Sequence, residues 1–136
     1  VIALAQRWPA LTAAVEAAPR EVAGWIAADA VHVLGAFAPD RFGLDDDALV
    51  ALVRASRGAY PPLALFHSHP DGRAALSPAD RAAWAPTGVP LHAWPQLVIA
   101  TRGGRACAAA LFAWRDGDDG PIALATYRRA DDGGWA

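Results

Sequence analysis

The chain has 136 residues, 54% of them hydrophobic and 19% charged, with a formal net charge of −2. Those proportions exclude a disordered chain and describe one compact domain able to bury a substantial core. All 12 basic residues are arginine; lysine, asparagine and methionine are absent and about a quarter of the chain is alanine, a bias that GC-rich coding accounts for. No arginine run exceeds Arg128-Arg129, so there is no basic stripe to hold a nucleic acid. The single cysteine, Cys107, excludes an internal disulfide framework and a cysteine-built zinc knuckle. No apolar run reaches membrane-spanning length, and Val1 to Pro9 lacks the basic lead of a signal peptide. The expectation is a cytoplasmic protein with neither a nucleic-acid nor a membrane partner.

Val1 to Ala5 suits a short opening strand. Pro9 stands in the first turn of a helix whose apolar stripe is Leu11, Ala14, Val15 and Ala18, and Pro19 stops it. Val22 to Ala28 and Ala30 to Phe37 read as a strand pair around Asp29. A second helix is expected from about Asp45 to Arg57, with acidic residues in its first turn and Gly58 after its end. After Tyr60-Pro61-Pro62, Leu63 to His69 is a strand, and Ser77-Pro78 opens a third helix ending near Pro86. Gln96 to Thr101, Arg105 to Trp114 and Ile122 to Arg128 are three further strands. Arg102-Gly103-Gly104 joins the first two as a hairpin. Interleaved strands and hairpins predict a mixed α/β domain over residues 1–129, followed by a flexible tail over 130–136.

His67-Ser68-His69-Pro70, followed by Ser77 and Asp80, carries the chemistry. Histidines at i and i+2 of a strand project to one side, roughly 6–7 Å apart along the backbone, and their imidazoles can converge on one ion. Asp80, in the first turn of the next helix, can add a carboxylate oxygen. Two histidines, one carboxylate and an open position describe a catalytic rather than a structural zinc. Each piece also has a plainer reading. An isolated H-x-H pair is weak, and Ser77 with Asp80, taken alone, reads first as an N-cap with its capping-box partner. Composition alone gives the combined spacing a chance of only about 2 × 10⁻⁴.

The H-S-H-P-x6-S-x2-D arrangement resembles the JAMM motif of JAB/MPN-domain metalloproteases. Pro19-Arg20-Glu21-Val22-Ala23-Gly24 matches that family's upstream P-x-E-x-x-G. The resemblance implies a single MPN/JAB domain, with a largely antiparallel mixed sheet flanked by helices in a cytidine-deaminase-like layering. It implies one Zn²⁺ per chain held by His67, His69 and Asp80, with Glu21 as general acid/base and Ser77 donating to the substrate oxyanion. The implied reaction is attack of zinc-activated water on an amide or isopeptide carbonyl. The bond cut would follow the C-terminal glycine of a ubiquitin-like or sulfur-carrier protein, releasing either a linked partner or a short C-terminal extension, with E1- or E2-like enzymes as further partners. Ala23 replaces a cysteine found in many members, and Gly35 to Pro62 is too short for linkage-selecting insertions. Gly88 to Pro95 is similar to JAMM domains of phage-tail peptidases, which keeps small or cell-wall peptides as an alternative substrate. A non-catalytic MPN scaffold is the other alternative.

His92, in a Pro/Trp-rich loop, reads as a surface histidine with substrate contact as the alternative, and Trp84, one helical turn beyond Asp80, reads as either core packing or the floor of a substrate cleft. Ser68 points to the opposite strand face as a packing group. Cys107 is expected as a buried small hydrophobe and His32 as a packed or edge histidine. A lysine-free isopeptidase would offer no side-chain acceptor to a conjugation system working beside it.

Overall fold

The computed structural model describes residues 4–17, 20–37 and 46–136. Its elements run α1 (Trp8–Glu16), β1 (Glu21–Ala27), β2 (Val31–Phe37), α2 (Asp46–Ser56), β3 (Pro62–His69), α3 (Pro78–Trp84), β4 (Gln96–Arg102), β5 (Arg105–Ala113) and β6 (Ile122–Arg128). The six strands form one sheet in the order β2-β1-β3-β4-β5-β6. Every neighbouring pair is antiparallel except β3–β4, whose parallel pairing needs a crossover, and α3 supplies it. Most of the expected opening strand, residues 1–3, lies outside the described residues; Leu4 is not in a strand, and 5–7 turn directly into α1. Asp45, the expected start of the second helix, also lies outside them, and α2 begins at Asp46.

Alternation along the strands divides the core between two faces. Ala64 and Phe66 of β3 join Val22, Ile26, Leu97 and Ile99 beneath Trp8, Leu11 and Val15 of α1. On the other face, Trp25, Ala27 and Leu65 pack under Leu52 of α2, while Trp84 of α3 packs with Ala85 and Trp114. The layering is therefore helix, sheet, helices, as expected. Gly24 is needed where β1 carries a bulge between Ala23 and Gly24, since a Cβ there would lie 2.0 Å from the His32 carbonyl oxygen and 2.8 Å from the Phe66 ring. Among the described residues, no helix is long and apolar enough to cross a membrane.

The tail, for which the glycines and aspartates suggest a flexible end, turns back onto the body of the domain. Ala130 N–H donates to the Gly134 carbonyl at 2.7 Å, turning the chain so that Trp135 bridges Arg129 and Ala136 exchanges two hydrogen bonds with Arg128. The Trp135 ring stacks on Trp8 at 4.2 Å, 9° from parallel, and its indole N–H donates to Thr12 Oγ1 at 3.2 Å. Burial of aromatic surface offsets the ordering entropy of a short polar turn. The last residue of α1 secures the same region: Glu16 Oε2 accepts from Ala106 N–H at 2.8 Å and from Arg129 at 2.7 Å.

Candidate metal centre

Period-two alternation puts His67 and His69 on the sheet face shared with α2 and α3, and both are buried. The strand neighbours of this face are small or slender. Ala23 faces His67 from β1, and Val98 and Ala100 stand beside the two histidines on β4. Ser68 points the other way, as expected, and its Oγ accepts the Val22 N–H at 2.8 Å. That bond carries the β1–β3 alignment past Ala23, the last paired residue. Continuing the register by two residues sets Glu21 opposite His69, on the histidine face.

The third group arrives from α3. Ser77 is the N-cap, with extended backbone (φ −76°, ψ 166°) and Pro78 in the first turn. Its Oγ accepts the Asp80 N–H at 3.1 Å, and Asp80 Oδ2 accepts the Ser77 N–H at 2.8 Å, closing a capping box. The same Oδ2 lies 3.3 Å from His67 Nε2 and 3.0 Å from His69 Nε2. The two Nε2 atoms are 3.2 Å apart. The capping and ligand readings of Asp80 are thus both true of one oxygen, because a carboxylate oxygen has two lone pairs. The cap aims the carboxylate at the histidines.

The donor set fits a metal ion. His69 Nδ1–H donates to the Arg73 carbonyl at 3.2 Å, which leaves the Nε2 lone pair of the neutral ring directed at a carboxylate oxygen. Lone pairs facing each other across 3.0 Å need a positive charge between them, either a proton or a metal. Four ligands held at about 2.0–2.1 Å around a tetrahedral zinc are about 3.3–3.4 Å apart, close to the triangle these three atoms make. His67, His69 and Asp80, all buried, form a group able to hold a metal ion.

Electrostatics follow from the crowding. Burial alone would raise Asp80, yet the His67 and His69 contacts and the Ser77 N–H hold it well below the usual carboxylate range. Burial pushes His67 down against the pull of Asp80. In His69 burial acts downward as well, but Asp80, Glu21 and the Arg73 carbonyl outweigh it and the net shift is upward. The directions differ because desolvation prevails at His67, with the His69 charge adding a smaller push, while at His69 the Asp80, Glu21 and Arg73 contacts prevail. Glu21 is pushed up by burial and by the negative charges of Asp80 and Asp71, with His69 opposing.

Of the two readings of Trp84, the structure shows core packing. Trp84 is 2% exposed, packed edge-on against Trp114 at 5.8 Å, and its indole N–H donates to the His92 carbonyl at 3.3 Å. A residue so enclosed has no face for a substrate; its bulk closes the core under α3. His92 stacks on it at 5.4 Å and lies 5.4 Å from Trp94. The return loop meets the sheet where the Pro95 carbonyl accepts from Leu65 N–H, at the end of β3 away from His69. Burial brings the His92 pKa down to about 4, with the Trp94 backbone opposing, close enough to act but without completing a hydrogen bond to Nδ1. His32 stacks on Trp25 at 4.9 Å, a packed edge histidine as expected. Cys107 is half-buried rather than buried, because it is the extra residue of a bulge opposite Ala100 and Thr101. The carbonyl of Arg73, which orients His69, escapes sequence reasoning because every residue carries one.

A family model of prokaryotic homologs of the JAB domain matches residues 9–116. No curated protein matches the chain. Among solved structures, the solution structure of a protein from Salinibacter ruber (strain DSM 13855) superposes with a TM-score of 0.55 at 18% identity, covering 90% of this chain and 84% of that one. At that identity the likeness speaks for the fold. The family match spans the α1-to-β5 body, including Glu21, both histidines, Ser77 and Asp80, and the chain belongs to the prokaryotic homologs of the JAB domain.

Proposed function

We propose that this protein is a zinc-dependent hydrolase that cuts the amide or isopeptide bond after the C-terminal glycine of a ubiquitin-like or sulfur-carrier-like protein. The observation that carries the reading is the convergence of His67 Nε2, His69 Nε2 and Asp80 Oδ2 within 3.0–3.3 Å of one another. Glu21 adds a carboxylate at the neighbouring strand position. His67, His69 and Asp80 would hold the ion, which when bound supplies Lewis acidity and makes a water acidic near neutral pH.

The chain's own groups do the rest. The Glu21 carboxylate takes a proton from the attacking water and returns it to the departing amine nitrogen, so the C–N bond breaks without an acyl-enzyme. The cap uses the Ser77 oxygen as an acceptor and leaves its hydroxyl hydrogen available to donate to the carbonyl oxygen as negative charge develops there. The Arg73 carbonyl fixes the His69 tautomer throughout.

The test is metal stoichiometry together with turnover of ubiquitin-like fusions. Purified protein is expected to hold about one zinc per chain. Glu21→Gln should keep the metal and lose at least about 10²-fold in kcat. Turnover unchanged by Glu21→Gln would sink the mechanism. Cleavage of cell-wall stem peptides in place of the fusions would move the substrate class, and a zinc-loaded protein without turnover would be a scaffold.

A further inference from the structure

The two histidines of the metal centre are not held alike. His67 has a ladder partner on each side, Ala23 on β1 and Val98 on β4. The β1 register ends at that pair, and His69 is matched by Ala100 of β4 alone. His69 is also the last residue of β3, and Pro70 after it has no N–H with which to continue the ladder. A ring at such an end needs a second anchor to keep its Nε2 directed at Asp80. The Arg73 carbonyl is that anchor, accepting the His69 Nδ1–H at 3.2 Å.

That carbonyl belongs to a loop, and a loop carbonyl points wherever its peptide is turned. Two neighbouring residues set the turn. Asp71 Oδ1 accepts the Arg73 N–H at 2.9 Å, the arrangement in which an aspartate side chain bonds the backbone two residues on. Gly72, between them, has φ +78°, a left-handed conformation that glycine adopts without strain. The space a side chain would need at Gly72 is filled from β4 by Arg102: a Cβ there would stand 2.7 Å from its Nη2 and 2.8 Å from its Nε. The Asp71 carboxylate and the His69 ring thus grip one residue, Arg73, from its two polar ends, the first at the N–H and the second at the C=O. Asp71 itself is exposed and stands outside the buried group of His67, His69 and Asp80.

We propose that Asp71 is a positioning residue of the metal centre: it holds the Arg73 peptide so that the carbonyl keeps His69 protonated at Nδ1 and free at Nε2 to bind the ion. An exposed carboxylate in this way governs a buried ligand that it does not touch. What matters is its oxygen as an acceptor, not its charge. Groups that orient a ligand ring set metal affinity because they fix its tautomer and direction before the ion arrives. This inference rests on the metal-centre part of the hydrolase reading and on no particular substrate.

The test compares Asp71→Ala with Asp71→Asn. The asparagine amide oxygen accepts the same N–H without a charge, whereas alanine removes acceptor and charge together. Zinc affinity is read by chelator competition, and exchange of the His69 Nδ1–H with solvent by proton NMR of the zinc-loaded protein. Asp71→Ala is expected to weaken zinc about fivefold, less than the about 10–100-fold typical of groups bonded directly to a ligand, and to speed the ring-proton exchange by a similar factor. Asp71→Asn should stay within about twofold of wild type in both measurements. An alanine variant with either readout unchanged would overturn the proposal. So would an asparagine variant as weak as alanine, since the effect would then belong to the charge. Neither readout needs turnover. Both effects in a protein that cleaves nothing remove the hydrolase and keep the role of Asp71, and a wild-type chain that binds no zinc removes both.

Discussion

Replacing Asp80 by Asn isolates the charge of the third ligand from its shape. The amide oxygen can still accept the Ser77 N–H that Oδ2 now accepts at 2.8 Å, so the α3 cap persists. Lost is the negative charge on the oxygen beside both imidazoles, and with it most of that oxygen's strength as a metal ligand. In the metal-free protein the loss of charged contacts is offset by a smaller desolvation cost, and the change should stay within about 1 kcal/mol. With zinc the difference becomes large. At a free zinc concentration about 100 times the wild-type Kd, binding contributes about 2.7 kcal/mol to stability. For a chain of this length that raises Tm by about 8–11 °C. If Asp80→Asn weakens zinc about 100-fold, the same concentration equals the variant's Kd, contributing about 0.4 kcal/mol and a shift of about 1–2 °C. Scanning calorimetry of both proteins in a zinc buffer, against chelated controls, measures the two shifts directly. Equal zinc-induced shifts in the two proteins would refute Asp80 as a ligand, and no shift in either would refute the metal site itself.

Ser77→Ala should cost about 1 kcal/mol in urea denaturation and weaken zinc about tenfold in a chelator competition, because Asp80 loses the partner that aims it; unchanged zinc affinity would show that the cap does not position the carboxylate. Folding keeps His92 neutral down to about pH 4, whereas the unfolded chain protonates it near 6.5. The unfolded state therefore binds more protons in that window, and stability falls as pH drops through it. Wild type should lose on the order of 2 kcal/mol more than His92→Phe between pH 7 and pH 4, discounted for the ring's partial exposure; parallel losses in chelator would sink this. Trp135→Ala removes the stack on Trp8 and the bond to Thr12 and should cost about 2 kcal/mol, below the range for a fully buried tryptophan. Its zinc stoichiometry should not change, and a loss of metal would mean that the tail supports the site.

What the sequence revealed and what it concealed divide along physical lines. Strand alternation put both histidines on one face, and the Ser77-Pro78-Ala79-Asp80 start of α3 announced its own cap, because both are local signals within a few residues. Glu21 was legible only through the family resemblance; what brings it near is pairing with a strand more than 40 residues later, which no local pattern encodes. The turn in the tail was not legible because Asp131, Asp132 and the two glycines suit a turn as readily as a loose end, and its contact is Trp135 stacking on the distant Trp8.

The core packing of Trp84 completes the account of how the third ligand is held. α3 has seven residues, too few to be stable as an isolated helix. Its beginning is fixed by the reciprocal Ser77–Asp80 bonds and its end by Trp84, locked among Ala85, Trp114 and Phe112. One turn of helix separates Asp80 from Trp84, so both lie on the inward side of α3 and share a rigid segment. A side chain that touches no substrate thereby sets where the carboxylate stands relative to two histidines on a different element. The histidines are held by the sheet, whose positions are fixed by pairing on both sides of β3. Asp80 depends on a short helix, and its two anchors explain how a ligand from outside the sheet can still be brought to within 3.3 Å of both imidazoles.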